Sequence, residues 1–452
     1  MTLAAGSAAP GRGASASARS TEGALRRAIL ALLRVVARVY FRKISVVGDV
    51  PRGATGRVLL PNHVNGLVDP LLVLTTAETR VAPISKAPLW KIPILGALLD
   101  ALGAVPVVRR RDDPTKAGGA NDELFKTVGH HLARGGNILI FPEGTSHNEP
   151  GLVKLRTGPA RMMLWGEGVA PATISFQAVG LEFEARDVFR SRVLVFYGPA
   201  RTFASVAPAS LSDEERVQAV TRVIEEDLSR MLVTADNWEE RRLTEQVAEL
   251  LAHEAGETSF EGFAELARAV RDAGGALRLH APALVDPVKE RTAAYFAVLE
   301  REGLSDQDVT STNVPLRAGR VAPWLMLLLL PLATLGFFLY ALPYRIPRWV
   351  SARAGGEGDL VSTLKLVAGL VVFPLWACSW SVAFAFVLPG MWPLLAIFLV
   401  WTTPVPALWW LDALEDGSLE RRPSRHDVVA LRRAAVSAIE EARVALLAAK
   451  AV

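Results

Sequence analysis

The pattern of apolar and polar positions divides the chain into unlike parts. From residue 321 to 344 no charged side chain occurs in 24 residues, and from 366 to 411 none occurs in 46. The second stretch is interrupted by Pro389-Gly390-Met391-Trp392-Pro393, and two helices of about 20 residues each would fill it. It reads as a membrane hairpin. Trp392 at the break and Trp409 and Trp410 at the far end suit an aromatic belt, whereas Trp376, Trp380 and Trp401 lie deeper. The first stretch carries Pro331 and Pro343 and is expected to be re-entrant. Were it to span, Arg345, Arg348, Arg353 and Lys365, with Arg421, Arg422 and Arg425, would lie opposite the bulk of the chain. The positive-inside rule opposes that arrangement.

The front of the chain has a different rhythm. Residues 1–20 are mostly Ala, Gly and Ser without periodicity and read as a disordered leader; no apolar core followed by a cleavage-like site marks a signal peptide. Residues 21–44 have helical period. Arg27, Arg34, Arg38 and Arg42 form one stripe, and Leu25, Ile29, Leu32, Leu33, Val36 and Tyr40 form the opposite one. A basic amphipathic helix of this kind suits an anionic membrane surface, although a charged face on an ordinary packing helix has the same spacing.

Residues 45–210 alternate short apolar runs with helical stretches. Strands are expected over 57–60, 137–141, 173–181 and 192–198, and helices over 70–79 and 121–134. That is an α/β layout. Residues 211–318 are charged and helical, opened by a capping-box spacing at Ser212-Asp213-Glu214-Glu215. Membrane-embedded segments over 319–412 and a polar tail helix within 413–452 complete the organisation.

Charge sharpens this partition. The net of +4 conceals +7 in the first 44 residues and −3 in the remainder. The basic balance therefore belongs to the front helix and indicates no nucleic-acid-binding face. With 51% apolar and 21% charged residues, a disordered or collagen-like chain is excluded. The single cysteine, Cys378, lies inside the hairpin, so no disulfide forms within the chain, which fits a reducing compartment.

Four stretches carry chemistry. Pro61-Asn62-His63-Val64-Asn65-Gly66-Leu67-Val68-Asp69-Pro70 follows a strand, and Pro70 suits a helix start, with Asp69 at its N-cap. A turn at Asn65-Gly66 would bring Asp69 to His63 and make the imidazole a general base; otherwise Asp69 merely caps and His63 is a loop residue. Val107-Val108-Arg109-Arg110-Arg111 ends an apolar run with guanidiniums suited to phosphate. Phe141-Pro142-Glu143-Gly144-Thr145-Ser146-His147 places a carboxylate, hydroxyls and backbone N–H groups after a strand, where open α/β sheets bind ligands. Gln177-Ala178-Val179-Gly180-Leu181 reads mainly as a core strand. No Gly-x-Ser-x-Gly elbow or Walker loop is present, His130-His131 lacks zinc-ligand spacing, and a Cys378 thiolate in hydrocarbon would be costly.

Taken together and in this order, the four stretches resemble the glycerolipid acyltransferase family over roughly residues 45–200. Five residues separate His63 from Asp69, where four are usual in that family. The longer spacing, with Glu143-Gly144-Thr145-Ser146-His147, Leu155-Arg156-Thr157-Gly158 and Phe189-Arg190-Ser191-Arg192, looks closer to the fungal-type glycerol-3-phosphate/dihydroxyacetone-phosphate acyltransferases. Arg156 stands where Lys is more usual. The resemblance implies an acyltransferase domain with a mixed β-sheet flanked by helices. It implies His63 as general base, Asp69 as its orienter, and Asn65, Lys86, Arg109, Glu143, Gly144, Thr145, Ser146 and Arg156 as substrate-binding residues. Acyl-CoA or acyl-carrier protein would be the donor, with no metal or organic cofactor. Membrane lipids would be the partners, with the catalytic domain at the cytoplasmic face. A phospholipid-remodelling transacylase and a non-catalytic membrane scaffold are the competing readings.

Overall fold

The computed structural model describes residues 16–107, 117–310, 323–353, 358, 360–416 and 426–450. Strands β1 (Lys43–Gly48), β2 (Arg57–Pro61), β3 (Val81–Lys86), β4 (Val105–Val107), β5 (Asn137–Leu139), β6 (Ser175–Phe183), β7 (Arg192–Tyr197) and β8 (Arg201–Thr202) form one mixed sheet. Its order is β1-β7-β6-β2-β5-β3-β4, with β8 beside β6. The run β6-β2-β5-β3-β4 is parallel, β7 and β8 pair antiparallel with β6, and β1 pairs parallel with β7.

The central strands are apolar on both faces because both are covered. Val58, Leu60, Ile138, Phe176 and Ala178 face α4 (Ala117–Ala133), α5 (Gly158–Val169) and α7 (Asp213–Met231). Leu59, Leu139, Val179 and Leu181 face α2 (Val68–Thr76) and the end of α1 (Ala16–Tyr40). Two further helices, α3 (Pro93–Leu102) and the short α6 (Phe203–Val206), complete this α/β domain. The structure adds β1, β3, β4 and the two-residue β8 to the strands expected from the pattern. β4 has three residues and β3 contains Pro83, so neither offers a clean period-2 run.

The helical region consists of α8 (Trp238–Glu254), α9 (Phe260–His280), α10 (Val285–Glu302) and α11 (Asp306–Thr310), against which α16 (His426–Lys450) packs. Ser212 and Glu215 form the expected capping box at the start of α7.

The front helix departs from its expected role. It begins at Ala16, within the stretch read as a leader; residues 1–15 lie outside the described ones. Ile29, Leu33, Val36 and Tyr40, expected on the lipid side, pack onto the α/β domain instead. Arg26 is buried and donates to the carbonyls of Leu102 and Val81, and Arg34 donates to that of Thr75. What stays exposed is a second apolar stripe, Leu25, Leu32, Val35 and Val39, alongside Arg27 and Arg38. Helical period alone could not say which of two apolar arcs the domain would need for its core.

Helix α12 (Pro323–Arg353) is continuous through Pro331, Pro343 and Pro347, so the expected re-entrance shows as no break. Helix α13 (Val361–Val387) and α14 (Trp392–Thr402) flank the expected interruption, and α15 (Pro404–Asp416) follows a second one at Thr403. Both ends of this stretch are tied to the α/β domain. In the first turn of α13, Thr363 accepts the Leu67 N–H at 3.0 Å and Ser362 donates to the Arg186 carbonyl at 2.6 Å. In the last turns of α15, Asp412 binds Arg190 through two guanidinium nitrogens, Nε at 2.8 Å. Residues 361–366 thus lie against the α/β domain, on the side where the basic loop was expected.

Arg190 explains why Phe189-Arg190-Ser191-Arg192 stands out in the sequence. It is buried, holds a left-handed backbone at φ +68, and donates to the Arg38, Val39 and Phe41 carbonyls as well as to Asp412. It caps the C-terminal carbonyls of α1, and these bonds offset the strain of its backbone.

Candidate active site

Parallel strands β2, β5, β3 and β4 end on one edge of the sheet, the edge where such sheets bind ligands. Beyond β2 comes His63, beyond β5 comes Glu143, and β3 ends at Lys86. Arg109 follows β4 by two residues and lies outside the described residues, with Arg110 and Arg111. Asn62 extends the β2–β6 pairing with its side chain, donating to the Leu181 carbonyl at 3.1 Å and accepting the Leu181 N–H at 2.7 Å. The chain therefore leaves the sheet at a fixed point.

The turn through Asn65-Gly66 brings His63 Nδ1 to 2.9 Å from Asp69 Oδ2. Asp69 is not the N-cap. Helix α2 starts at Val68 with Leu67 in the cap position, and Asp69 lies in its first turn, its own N–H bonded to the Asn65 carbonyl at 3.0 Å. From there its Oδ2 also accepts the Asn65 N–H at 2.7 Å. Asp69 is completely buried. Burial pushes its pKa up, opposed by the hydrogen bond and charge of His63 and by backbone N–H groups. The imidazole stacks on Phe141, ring centroids 3.8 Å apart, which fixes its plane.

Glu143 ties the two motif loops together. Buried, it accepts the His63 N–H at 2.7 Å through Oε1 and contacts His147 Nε2 through Oε2. In return the His147 N–H donates to the His63 carbonyl at 3.2 Å. Both oxygens of a residue expected to hold substrate are thus engaged within the protein, and Glu143 sets the backbone position of His63. Gly144 sits at φ +74, and a Cβ there would meet Arg156 Cγ at 3.1 Å. A side chain would be strained and crowded, so the glycine follows from geometry.

Thr145 and Ser146 are half-buried in the same loop, and the Arg156 side chain lies over Gly144 with its residue exposed. Asn65 is completely buried, and neither atom of its side-chain amide has a hydrogen-bond partner among the described residues. A buried polar group left open beside the dyad is costly unless something arrives to bond it. Lys86 is exposed at the end of β3 and has no hydrogen bond to either loop among the described residues.

Sequence reasoning assigned no part to His147, Arg186, Ser362 or Thr363, all of which bear on this site. His147 belonged to a quoted motif and was within reach; the others come from segments distant in the chain, where no spacing signals proximity.

Comparison with known proteins agrees with this architecture. Residues 43–175, from β1 to the first residue of β6, match the family model described as Acyltransferase. Over 284 residues the chain is 25% identical to glycerol-3-phosphate O-acyltransferase 2 of Saccharomyces cerevisiae, covering 58% of this chain and 38% of that one. Over 142 residues it is 28% identical to a chloroplast 1-acyl-sn-glycerol-3-phosphate acyltransferase of Arabidopsis thaliana, covering 31% and 37%. Over 161 residues it is 30% identical to the lyso-ornithine lipid O-acyltransferase of Pseudomonas aeruginosa, covering 33% and 54%. The chain spans about half or less of the length of each of these relatives. The α/β domain is an acyltransferase domain. Over this domain the chain is similar to glycerolipid acyltransferases.

Proposed function

We propose that the protein is a membrane-bound O-acyltransferase that moves a fatty acyl group from acyl-CoA or acyl-carrier protein to glycerol-3-phosphate or 1-acylglycerol-3-phosphate. The observation that carries this reading is the 2.9 Å pairing of His63 Nδ1 with buried Asp69 at the C-terminal edge of parallel strands. Asp69 takes the Nδ1–H and so leaves the Nε2 lone pair to the acceptor hydroxyl. As the hydroxyl proton passes to Nε2, its oxygen attacks the thioester carbonyl; the C–O bond forms, the C–S bond breaks, and the proton leaves with the thiolate. The partners of the imidazole are a carboxylate and the Phe141 ring, with no Ser or Cys nucleophile paired to it among the described residues, which supports direct attack without an acyl-enzyme. The open amide of Asn65 and the loop from Gly144 to Ser146 are the groups proposed to receive substrate oxygens, joined by Arg109, Lys86 and Arg156 for the phosphate. No metal or organic cofactor enters the proposal.

Among the described residues, α12, α13 and the combined span of α14 and α15 are long and apolar enough to cross a membrane. The exposed stripe Leu25, Leu32, Val35 and Val39 with Arg27 and Arg38 suits the adjoining lipid surface. The cluster Arg345, Arg348, Arg353 and Lys365, of which Lys365 bonds the Asp187 carbonyl of the α/β domain, supports a cytoplasmic face for it. The test is purified protein in vesicles with radiolabelled acyl-CoA, offered glycerol-3-phosphate, dihydroxyacetone phosphate or 1-acylglycerol-3-phosphate, beside His63→Ala. The variant is expected to lose a factor of about 10²–10⁴ in rate. Equal turnover by His63→Ala would remove the mechanism, and incorporation from phospholipid but not from thioester would replace the reading with a remodelling transacylase.

A further inference from the structure

Arg186 lies in the β6–β7 connection, outside every motif that marks the site, yet its guanidinium spans the site's two loops. Nη1 stands 3.5 Å from the Val64 carbonyl and 3.4 Å from the His147 carbonyl, and the other face of the group lies over the Trp238 ring, 5.8 Å from its centroid. These contacts are long, and they engage one nitrogen of three.

Four other arginines of the domain and its border each face a carboxylate. Arg190 has Asp412, Arg192 has Glu184, Arg201 has Asp227 and Arg241 has Glu182. Arg186 makes no ion pair of this kind among the described residues; the negative charges that act on it, Asp69 first, do so from a distance. Burial works against its charge. A guanidinium held between two ligand loops, with two nitrogens unbonded and no counter-ion among the described residues, has the chemistry of a site for an arriving anion.

The position is also a built one. Ser362 holds the Arg186 carbonyl at 2.6 Å and Lys365 holds the Asp187 carbonyl at 2.5 Å, both from the first two turns of α13. Trp238 opens α8 with Asn237 as its N-cap. Three parts of the chain that share no motif thus converge to place one cation beside the His63–Asp69 loop.

We propose that Arg186 is a phosphate-binding residue of this site and takes the phosphate monoester of the acceptor. The inference rests on the acyltransferase reading above. A planar fork of donors recognises phosphate through paired hydrogen bonds that an ammonium cannot reproduce. With His63 at the hydroxyl end, Arg186 at the phosphate end would register the three-carbon acceptor across the dyad. The donor thioester of CoA also carries phosphates, so the test separates the two sources.

The experiment is steady-state kinetics of full-length protein in vesicles with glycerol-3-phosphate, with glycerol as the neutral acceptor, and with acyl-CoA varied separately. For Arg186→Gln we expect KM for glycerol-3-phosphate to rise about ten- to a hundredfold, while kcat/KM for glycerol and KM for acyl-CoA stay at the wild-type values. Arg186→Lys, which keeps the charge and loses the fork, should fall between. An unchanged preference for glycerol-3-phosphate over glycerol in both variants overturns the inference. So does a rise confined to acyl-CoA, which would assign Arg186 to the donor. If Arg186→Gln does not fold, Arg186→Lys decides on the same readings. Failure of the wild type to acylate any phosphorylated acceptor would instead overturn the acyltransferase reading itself.

Discussion

Among the described residues two His–Asp pairs stand in opposite surroundings. At the sheet edge, His63 Nδ1 meets Asp69, and beside them the Asn65 amide has no partner among the described residues. In the helical region, His253 Nδ1 meets Asp306 at 2.5 Å, and there the carboxylate is enclosed by donors. Tyr295 donates to Oδ1 at 2.5 Å, Arg432 binds both oxygens at 2.8 and 3.2 Å, and Arg432 also reaches Glu254 at 2.5 Å. Both aspartates are completely buried, yet their pKa values move in opposite directions. At Asp69 burial dominates and pushes the pKa up. At Asp306 the hydrogen bonds from His253, Arg432 and Tyr295 overcome burial and hold the carboxyl below its usual range. The same two residue types form an open pair, proposed above as reactive, where donors are few, and a lock between α8, α11 and α16 where they are many.

The sharpest way to break this comparison is to replace each aspartate by asparagine. Asp69→Asn presents an N–H toward Nδ1 and so turns the imidazole to the tautomer with a proton on Nε2, where it cannot accept one. Activity should fall by about 10²–10⁴, while the apparent Tm in detergent holds or rises, because a costly buried charge is gone. Asp306→Asn should do the reverse. Activity per folded molecule stays near wild type, and stability drops by about 3–5 kcal/mol as Arg432 and His253 lose their common partner. If Asp69→Asn destabilises as much as Asp306→Asn, the sheet-edge pair is a second lock and the catalytic assignment falls.

The pH dependence of stability should separate the pairs by sign. Asp306 has a depressed folded pKa, so its stabilisation is complete above the unfolded value near 4 and is lost as pH falls below that. The gap in apparent Tm between wild type and Asp306→Asn should therefore close on acidification. Asp69 has a raised folded pKa, so ionising it costs stability as pH climbs above the unfolded value. Relative to wild type, Asp69→Asn should gain stability over that same climb. Thermal melts from pH 3 to 7 read both; gaps that move in the same direction would contradict the contrast.

How much of this was legible in the sequence follows from distance along the chain. The pairing of His63 with Asp69 and the tie from Glu143 lie within motifs, and a strand-ending Asn-His with a turn before Asp-Pro announces the geometry. The lock at Asp306 was not legible, because Arg432 stands 126 residues away and His253 stands 53 away in helices whose charge patterns look like solvated faces. The front helix misled for a related reason: the one apolar stripe read from the sequence mixes Ile29, Leu33, Val36 and Tyr40, which the domain takes into its core, with Leu25 and Leu32, which stay exposed. The apolar stretches were plain from their lack of charge, but Pro404 and the second interruption at Thr403 lay unmarked inside a uniformly greasy run.

A last difference between the pairs is what holds their backbones, and it has the smallest expected effect. The Asp306 lock is supported by its own side-chain partners. The loop carrying His63 leans instead on Thr363, 296 residues on, whose hydroxyl accepts the Leu67 N–H between the Asn65-Gly66 turn and Asp69. Thr363→Val keeps the shape and removes the acceptor, leaving the Leu67 N–H without its partner. One hydrogen bond of this kind contributes about 0.5–1.5 kcal/mol, which corresponds to about a two- to tenfold loss if it is expressed in the transition state. A bond that positions the dyad should lower kcat and leave the KM of acceptor and donor alone. A bond that only docks α13 on the domain should lower the apparent Tm with kcat intact. The first outcome makes the apolar hairpin a support of the catalytic loop; the second returns it to the role of anchor.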